Sequence, residues 1–404
     1  MKLKHSKMKF YLSVWIIIIA IHCTDVKVSI IKVTEIFFLI YMALHIRKLC
    51  GISKWFLRFF TVFLFITFAH NLFLNFDYSI ADNILKQPYW CSIGRYLEVL
   101  ACLSFLEFVR RKINRYGFHK IITHTLKFNF YFSILILLLY AVDMAGGLQT
   151  VSYNEGRLKG LFVEGGPFGL LYAVLTLLSI FQKRPMKETV LLSAFVILSR
   201  SKAGICCLSA YFAIKMVLNI YKNKRYRKFV IFGCVMFISA FLYVFLIVAK
   251  MYIEQITDVS TLEAYVNNNP YDYSAVAGRV PATFIVYAMF WKHPLIGIGI
   301  GNYPILRNMS AYRGFFPQID IYDATGYGGI IDILNQCGMI GLTLFGMYMY
   351  KQIRKSNNNI YIIFFILPLL FGVQYTFMYP WFMLALHSYT IAPYNKNSGL
   401  MKKE

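Results

Sequence analysis

Charged residues are scarce in this chain, and acidic residues are the scarcest. Only 15% of the 404 residues are charged, and 18 Asp and Glu stand against 42 Lys and Arg. Because 58% of the residues are hydrophobic, too few polar residues remain to cover the surface of a soluble domain. The composition therefore excludes an ordinary soluble protein, and the repeated apolar runs predict a membrane protein that crosses the bilayer many times.

Motifs for metal binding or disulfide formation are also missing. The eight cysteines lie mostly inside apolar runs, and none belongs to a Cys-x-x-Cys pair or a His/Cys cluster. A free cysteine in such surroundings behaves as a small hydrophobic residue. We therefore predict no metal site and no cofactor. A disulfide between Cys23 and Cys91 is the alternative for two of the cysteines.

Twelve apolar segments account for most of the chain. Most are apolar all round rather than along one stripe, which is typical of helices embedded in lipid. The sequence therefore predicts an all-α integral membrane protein, a helical bundle with about 12 transmembrane helices. The segments lie near 10–23, 29–46, 55–73, 94–110, 128–146, 166–182, 188–199, 203–220, 229–249, 329–350, 359–375 and 379–394.

The spacing of these segments divides the chain into three parts. Residues 1–249 form an N-terminal transmembrane region of about nine helices, 250–328 form one large loop, and 329–404 form a C-terminal region of about three helices. The first segment lacks a small-residue cleavage site, so we interpret it as a signal anchor.

Basic residues concentrate in alternate loops, which carry few acids. These loops lie near 2–9, 47–54, 110–120, 183–187, 222–228, 351–355 and 402–403. The positive-inside rule places them, with both termini, in the cytoplasm. The net charge of +24 then reflects topology and contact with anionic lipid headgroups, and no nucleic-acid partner is expected. The remaining loops, including 250–328, face the outer side.

Three outward-facing segments carry cations at the predicted membrane–water boundary. The stretch "GRLKGLFVEGGP" contains Arg157, "LSRSKAG" contains Arg200 and Lys202, and "AGRVPATF" contains Arg279. The planar fork of arginine suits phosphate oxygens and keeps its charge. A pyrophosphate held at the outer surface of the bilayer would require such a cluster.

Each of these cations also has a purely structural explanation. A local ion pair or a contact with lipid phosphate would account for it without any substrate. The partners in question are Asp272 for Arg279, Glu155 or Glu164 for Arg157, and a lipid headgroup for Arg200. The residues alone leave both explanations open.

Glycines and a histidine near 293–301 resemble parts of binding or catalytic motifs, but the surrounding sequence favours structural roles for them. The run Gly297-x-Gly299-x-Gly301 is not a nucleotide loop, because no predicted strand precedes it. We expect it to let backbone approach backbone, or to expose main-chain N–H groups to a phosphate. His293 precedes Pro294, which predicts a turn or the end of a helix there.

The order of these segments is similar to that in the O-antigen ligase/polymerase superfamily. The similarity covers about 150–350 and comprises Arg157-x-x-Gly-x-Phe with Pro167, "LSRSKAG", Gly-Arg279 followed by "WKHPLIGIGIGNY", and "GYGGIIDILNQCGMIG". The resemblance implies a GT-C-like membrane fold. It also implies transfer of a glycan from undecaprenyl pyrophosphate on the periplasmic face of the bacterial inner membrane, without a nucleotide sugar.

The resemblance further implies roles for particular residues. Arg279 and either Arg200 or Lys202 would hold the donor pyrophosphate, with Arg157 as a further contact. Ligases of the family place a His where this chain has Tyr327. An O-antigen polymerase, which joins repeat units, therefore fits better than a ligase, which transfers the glycan to lipid A-core. A chain-length-regulating protein is the partner that the family implies.

Glycosyl transfer requires a hydroxyl to lose its proton as it attacks the anomeric carbon, so a nearby base would help. The candidates on the predicted outer side are Glu164, Asp320 and Asp323. Tyrosines of the large loop could contact sugars or fill the core of the loop. They are Tyr265, Tyr271, Tyr273, Tyr312 and Tyr322.

A flippase or transporter of lipid-linked oligosaccharides is an alternative of a different class. Transporters usually have two related halves and charges near the bilayer midplane. This sequence has no internal repeat. Lys32 and Arg58 are the exceptions that we single out, and both fit near helix ends or pore walls without a special role.

Overall fold

Helices make up most of the part of the chain that the structure describes. The computed structural model describes residues 2–28, 31–74, 76, 87–153, 156–221, 258–270, 272, 276, 278–318, 327–356 and 358–391. Its helices are α1 (Lys2–His22), α2 (Val33–His45), α3 (Gly51–Asn71), α4 (Pro88–Tyr116), α5 (Phe118–Gly146), α6 (Gly165–Phe181), α7 (Met186–Leu198), α8 (Lys202–Tyr221), α9 (Val259–Asn268), α10 (Arg279–Lys292), α11 (Tyr303–Leu306), α12 (Ser310–Arg313), α13 (Gly329–Lys355), α14 (Ile360–Leu370) and α15 (Met378–Thr390).

Strands occur among these residues only as two short antiparallel hairpins. Strand β1 (Lys27–Val28) pairs with β2 (Ile31–Lys32) between α1 and α2. Strand β3 (Ser152–Tyr153) pairs with β4 (Arg157–Leu158) between α5 and α6. A 3₁₀ turn, Ile46–Lys48, follows α2.

Three of the described helices, α3, α5 and α13, are long and apolar enough to cross a membrane. Shorter apolar helices are Gly165–Phe181, Lys202–Phe212, Val280–Lys292 and Ile360–Leu370. Every predicted apolar segment coincides with a helix except 229–249, which lies outside the described residues. The structure is therefore consistent with the predicted all-α membrane class, and the count of about 12 crossings stays a prediction.

The last two helices, α14 and α15, are too short to cross a bilayer individually. They have 11 and 13 residues, whereas about 20 are needed to span the hydrocarbon core. A bridge between Ser356 and Ile391 joins the residues that flank them, so both helices return to the same end of the bundle. We call the reversal between them, residues 371–377, the tip segment.

Helix α6 lies at the centre of the packing that supports the site described below. Every residue from Phe168 to Ser179 is buried, because α7 and α8 pack along this helix. Tyr172 stacks on Phe195 of α7 with ring centroids 4.6 Å apart. A helix that is apolar all round is buried on every side. The N-terminal end of α6 is therefore fixed in position by its own packing.

The glycine run of 297–301 pairs with a break in α13. Helix α13 loses helical geometry at Gly338, and the N–H groups of Ile298 and Gly299 donate to carbonyls of α13 just before that break, at 2.8 and 3.0 Å. A Cβ atom at Gly297 would lie 2.5 Å from the carbonyl oxygen of Asn335, so a side chain is excluded there. The prediction that these glycines let backbone approach backbone is confirmed.

Charged side chains are also buried between α2 and α4. The Nζ atom of Lys32 lies 3.2 Å from a carboxylate oxygen of Glu35 and 3.3 Å from one of Glu98, and Lys32 is 3% exposed. Arg95 pairs with Glu98 at 2.5 Å and donates to Thr376 of the tip segment at 3.2 Å. We call Lys32, Glu35, Arg95 and Glu98 the buried charge network.

The positions of Lys32, Arg58 and two cysteines bear on the sequence predictions. Lys32 lies at the start of α2, as expected, but it belongs to a charge network that the sequence did not indicate. Arg58 lies on the exposed side of α3. Cys23 and Cys91 are free cysteines in the structure, so the alternative of a disulfide between them is not seen.

Candidate anion-binding site

The "LSRSKAG" stretch forms a tight turn between α7 and α8. The N–H groups of Ser199 and Arg200 donate to the last turn of α7 at 3.0 and 2.9 Å. Arg200 then adopts a left-handed backbone with φ 49°, and Lys202 begins α8. A non-glycine residue in that conformation costs about 1 kcal/mol or more, and such residues are often found at functional sites. Both cationic side chains are exposed, as predicted for an accessible turn.

Small residues hold this turn against the start of α6. The hydroxyl of Ser201 donates to the carbonyl of Gly166 at 3.0 Å and accepts the N–H of Gly204 at 3.2 Å. A Cβ atom at Gly169 would lie 2.3 Å from Cβ of Ser201. The turn approaches α6 this closely only because position 169 has no side chain. The two seryl side chains of the turn are buried, whereas its cations are not.

Arg157 reaches the same turn from the β3–β4 hairpin. Its Nη2 and Nε atoms donate to the carbonyl oxygen of Ser199 at 3.3 and 3.4 Å, and its Cζ atom lies 5.2 Å from the ring centroid of Tyr153. Within the described residues, no carboxylate lies at ion-pair distance from Arg157. The alternative partner Glu164 is therefore not used, and Glu155 lies outside those residues.

Asp143 anchors the hairpin that carries Arg157. Its carboxylate accepts the N–H groups of Val151 and Ser152 at 2.8 and 2.9 Å. It also accepts the hydroxyls of Ser152 at 2.9 Å and Thr150 at 2.5 Å. This role was not predicted from the sequence. The available signal was an acid near the end of an apolar helix, a few residues before a Thr and a Ser.

Glu164 lies beside the cations. It immediately precedes α6, its side chain is exposed, and the next residue, Gly165, donates its N–H to the hydroxyl oxygen of Tyr153 at 3.0 Å. A Cβ atom at Gly165 would lie 2.9 Å from the carbonyl oxygen of Ser199, so the turn and this end of α6 are in contact. A carboxylate at a helix N-terminus is favoured by the helix dipole.

The structure therefore brings together four of the predicted site residues: Arg157, Glu164, Arg200 and Lys202. We call them the outer cation cluster with its adjacent acid. Arg279 begins α10, which packs against α12 and α13, and so is positioned by other elements. The remaining candidate base, Asp323, lies outside the described residues, as does Asp320.

His293 and the residue at the position of the ligase His, Tyr327, both have structural partners. His293 ends α10 as predicted, and its Nε2 atom lies 2.8 Å from the hydroxyl oxygen of Tyr312. Burial and the neighbouring His70 and Lys292 lower the pKa of His293 to about 4, so its ring is neutral at pH 7. Tyr327, just before α13, accepts a hydrogen bond at its hydroxyl oxygen from the hydroxyl of Thr283 at 3.5 Å.

Of the loop tyrosines considered for sugar contacts, one is buried and one is exposed among the described residues. Tyr312 is buried in a small core formed by residues of α10, α11 and the glycine run. Tyr265 is exposed and donates to Asp272 at 2.9 Å. Tyr271, Tyr273 and Tyr322 lie outside the described residues. Tyr265 is therefore the candidate among the described loop tyrosines that remains accessible to a sugar.

The arrangement is suited to an anion. Among the described residues, the hydrogen bonds from Arg157 come from its Nε and Nη2 atoms, and both go to a neutral carbonyl oxygen. A guanidinium has further N–H groups, and their geometry matches phosphate oxygens. Over the described ranges, no group of three or more His, Cys, Asp or Glu residues could hold a metal ion.

Comparison with known proteins adds no further assignment. The chain matches no protein-family model and no curated protein sequence.

Proposed function

We propose that the chain is an O-antigen polymerase. It is an integral membrane glycosyltransferase that joins undecaprenyl-pyrophosphate-linked repeat units on the periplasmic face of a bacterial inner membrane. The observation that carries this proposal is the convergence of Arg157, Arg200 and Lys202 at one end of α6–α8. Lipid-linked pyrophosphate is the multivalent anion that this position at the bilayer boundary would meet.

The orientation follows from the positive-inside rule. The turn between α6 and α7 contains Lys183 and Arg184 and belongs to the basic set of loops, so it faces the cytoplasm. The turn between α7 and α8 then faces the opposite side. A site there has access to lipid-linked glycans that have already crossed the membrane, and cytoplasmic nucleotide sugars do not reach it.

The role of the cations is electrostatic. The acceptor hydroxyl oxygen forms a bond to the anomeric carbon, and the bond from that carbon to the pyrophosphate oxygen breaks. The electron pair leaves with the pyrophosphate, whose growing negative charge is stabilised by Arg200, Lys202 and Arg157. Arg279 is the fourth predicted contact, from the start of α10. Pyrophosphate leaves as an anion, so no general acid is required.

The acceptor proton goes to a carboxylate. Glu164 is the candidate among the described residues, because it lies next to the cations and is exposed. Asp323 is the second candidate from the sequence. A base at either position would need to lie within hydrogen-bond reach of the hydroxyl in the bound complex. The His of ligases is replaced by Tyr327 here, which favours the polymerase over the ligase.

A flippase of lipid-linked oligosaccharides is the second candidate function, and the buried charge network favours it. Transporters carry charged side chains inside the membrane, and Lys32, Glu35, Arg95 and Glu98 are largely buried between α2 and α4. Their charges sum to zero, however, and each is held in an ion pair. Such a network also serves to fix helices, so the polymerase remains the first proposal.

The lipopolysaccharide of a strain lacking the gene distinguishes these functions on a gel. Loss of a polymerase leaves core plus one repeat unit. Loss of a ligase leaves bare core while lipid-linked polymer accumulates. Loss of a flippase leaves bare core with no periplasmic polymer. An unchanged ladder would exclude all three functions for this polysaccharide.

Complementation then tests the site. The wild-type gene restores the full ladder, whereas Arg200→Ala and Arg279→Ala each fail to restore it. Membrane levels of each variant are measured in parallel by immunoblotting. A normally inserted Arg200→Ala variant that restores a full ladder removes the outer cation cluster from the proposal.

A further inference from the structure

A second group of cations lies at the opposite, basic end of the bundle. Lys9 of α1, Lys112 and Arg115 of α4, and Lys120 of α5 lie at the junction of these three helices, with Lys9 and Arg115 close enough to Lys112 to act on its charge. The Nζ atom of Lys120 lies 4.7 Å from the ring centroid of Phe10. We call these four cations the inner cation cluster. No role in the proposed glycosyl transfer is assigned to it.

Aromatic contacts hold the inner cation cluster in place. The ring of Phe10 meets Tyr116 at 5.1 Å and His124 at 4.9 Å between centroids, so α1, α4 and α5 join here. The guanidinium carbon of Arg115 lies 5.3 Å from the ring of Tyr116. Cations stacked on rings are partly ordered before any ligand arrives, which lowers the entropic cost of binding.

The cations of this cluster repel one another. Burial, together with Arg115 and Lys9, lowers the pKa of the Lys112 ammonium. Arg110, at the same end of the bundle, is instead neutralised by Glu107 at 2.9 Å. For the four members of the cluster, the described ranges contain no carboxylate at ion-pair distance. An external anion would therefore relieve their repulsion.

Apolar side chains continue from the cluster along the bundle surface. On α1, the exposed residues Met8, Leu12 and Trp15 follow one face at helical spacing. On α5, Tyr131 and Leu135 are exposed in the same manner. Trp15 contacts Phe128 of α5 with ring centroids 5.0 Å apart, so the two helices share this surface. The surface thus has a cationic end and an apolar length.

We propose that the inner cation cluster is a binding site for one anionic phospholipid, whose phosphate headgroup contacts Lys9, Lys112, Arg115 and Lys120. Its acyl chains lie along the apolar faces of α1 and α5. Charge complementarity selects the lipid: a zwitterionic headgroup brings its own cation into the cluster, whereas phosphatidylglycerol brings a net negative charge. This site differs from general contact with anionic lipids because it involves one defined junction of three helices.

Native mass spectrometry of the purified protein in detergent tests this assignment. The probes are dioleoyl phosphatidylglycerol and dioleoyl phosphatidylcholine at equal concentrations. We expect one phosphatidylglycerol to remain bound preferentially to the wild type. The triple variant Lys9→Gln, Lys112→Gln, Arg115→Gln should weaken this binding by about 100-fold, because each cation near an anionic headgroup contributes substantially. Equal retention of the two lipids by the wild type would overturn the proposal.

Two further triple variants control for charge and folding. Lys187→Gln, Lys351→Gln and Lys355→Gln remove the same charge from exposed positions elsewhere at the basic end, and this variant should bind like the wild type. If it loses as much binding, the effect is one of net charge and there is no defined site. The charge-conserving triple of Lys9→Arg, Lys112→Arg and Arg115→Lys should keep the binding, and its loss would contradict a headgroup contact.

Inorganic phosphate distinguishes a lipid site from a site for free phosphate. Millimolar sodium phosphate should leave phosphatidylglycerol bound, because it cannot replace the acyl-chain contacts on α1 and α5. Complete displacement would mean that the site recognises phosphate alone and would overturn the lipid assignment. None of these measurements depends on glycosyl transfer, so they fail or succeed independently of the proposed function.

Discussion

The turn after α6, which we call the inner turn, and the turn after α7, the outer turn, have the same backbone conformation but differ in the charges around them. Lys183 follows α6 with φ 51°, and Arg200 follows α7 with φ 49°. In the described part of the chain, they are the two non-glycine residues with positive φ. Each donates its N–H to a carbonyl of the helix that it ends, at 3.1 and 2.9 Å. The conformation by itself therefore does not mark a functional site.

The difference lies in what surrounds the cation. In the inner turn, Arg184 follows Lys183 and donates to both carboxylate oxygens of Glu188, at 2.9 and 2.8 Å. The charge of Arg184 is therefore neutralised by a residue one helical turn away. In the outer turn, a hairpin far away in sequence adds a third cation, Arg157, against the carbonyl of Ser199. Each turn has three cations and one acid nearby, but the acid of the inner turn is held in an ion pair with Arg184. For Arg157 the described residues offer no carboxylate at ion-pair distance, as expected of an anion site.

Replacing the residue with positive φ by glycine in each turn should give the largest difference in polymerisation rate between the two turns. Glycine adopts this conformation freely, so the fold is kept in both variants. We expect Arg200→Gly to lower the rate of repeat-unit polymerisation by about 100-fold to 1,000-fold, the loss typical of removing one stabilising donor. Lys183→Gly should leave the rate unchanged. The measurement is polymerisation of purified lipid-linked repeat units in proteoliposomes.

Thermal unfolding of the same two variants provides the control. Both should unfold at or slightly above the wild-type temperature, because glycine relieves a strain of about 1 kcal/mol. Equal losses of activity in Lys183→Gly and Arg200→Gly would break the comparison, since the turns would then matter only through their backbone.

Two glycines of α6, Gly169 and Gly166, allow the packing of the outer turn against this helix to be tested. Gly169→Ala places a methyl group 2.3 Å from Cβ of Ser201, which overpacks the contact with the outer turn. We expect it to cost about 1–3 kcal/mol of stability. Because the turn is displaced, the polymerisation rate should fall about tenfold, as for a misplaced binding group.

Gly166→Ala is the matched variant, because no described atom lies within 4 Å of the position that its methyl group would take. It should be neutral or stabilise α6 by up to about 1 kcal/mol, since alanine favours helix over glycine. Chemical denaturation of both proteins in detergent measures the difference. Similar stability of the two variants would mean that the close approach of the turn to Gly169 is not maintained.

Hydropathy and charge pattern located most of the elements that position this site. Uniformly apolar runs at 166–182 and 188–199 predicted α6 and α7 within about two residues, because nothing but a buried or lipid-facing helix suits such runs. The turn and its two exposed cations followed from the basic "LSRSKAG" stretch between apolar segments. The positions of Lys32 and His293 at the ends of helices agree with the sequence analysis.

Contacts between distant segments could not be predicted in the same way. The meeting of Arg157 with Ser199 depends on how a short hairpin leaves α5, and no local pattern encodes that path. The break of α13 at Gly338 depends on main-chain bonds from the glycine run, which precedes it by about 40 residues. The buried position of Lys32 depends on Glu98 of α4. Each is decided by tertiary packing rather than by local preference.

Asp143→Asn should have an intermediate effect on the outer cation cluster. The asparagine keeps the shape and can keep its oxygen toward the N–H groups of Val151 and Ser152. Its NH₂ group then faces the hydroxyl of Thr150, and the negative charge that strengthened all these bonds is lost. We expect a loss of about 1–3 kcal/mol in stability, because hydrogen bonds to a charged acceptor contribute more than those to a neutral one. Polymerisation should fall less than in Arg200→Gly, because Arg157 is displaced rather than removed.

Thr150→Val is the control for Asp143→Asn. It removes a single donor to the same carboxylate and leaves both main-chain bonds, so its stability should fall by no more than about 1 kcal/mol. Limited proteolysis within the hairpin reports directly on its anchoring. Equal protection of the hairpin in Asp143→Asn and in the wild type would show that Asp143 does not position Arg157.

The smallest expected effect comes from making the inner turn resemble the outer one. Glu188→Gln removes the carboxylate that neutralises Arg184 and leaves Lys183 and Lys187 beside it. The glutamine keeps a carbonyl oxygen for one of the two hydrogen bonds from Arg184, so stability should fall by about 1 kcal/mol, with no change in polymerisation. Binding is measured as the rise in unfolding temperature that inorganic pyrophosphate causes, which should be abolished by Arg200→Gly. If Glu188→Gln restores that rise in an Arg200→Gly protein, any turn that is rich in cations binds pyrophosphate, and Arg157 contributes no selectivity to the outer turn.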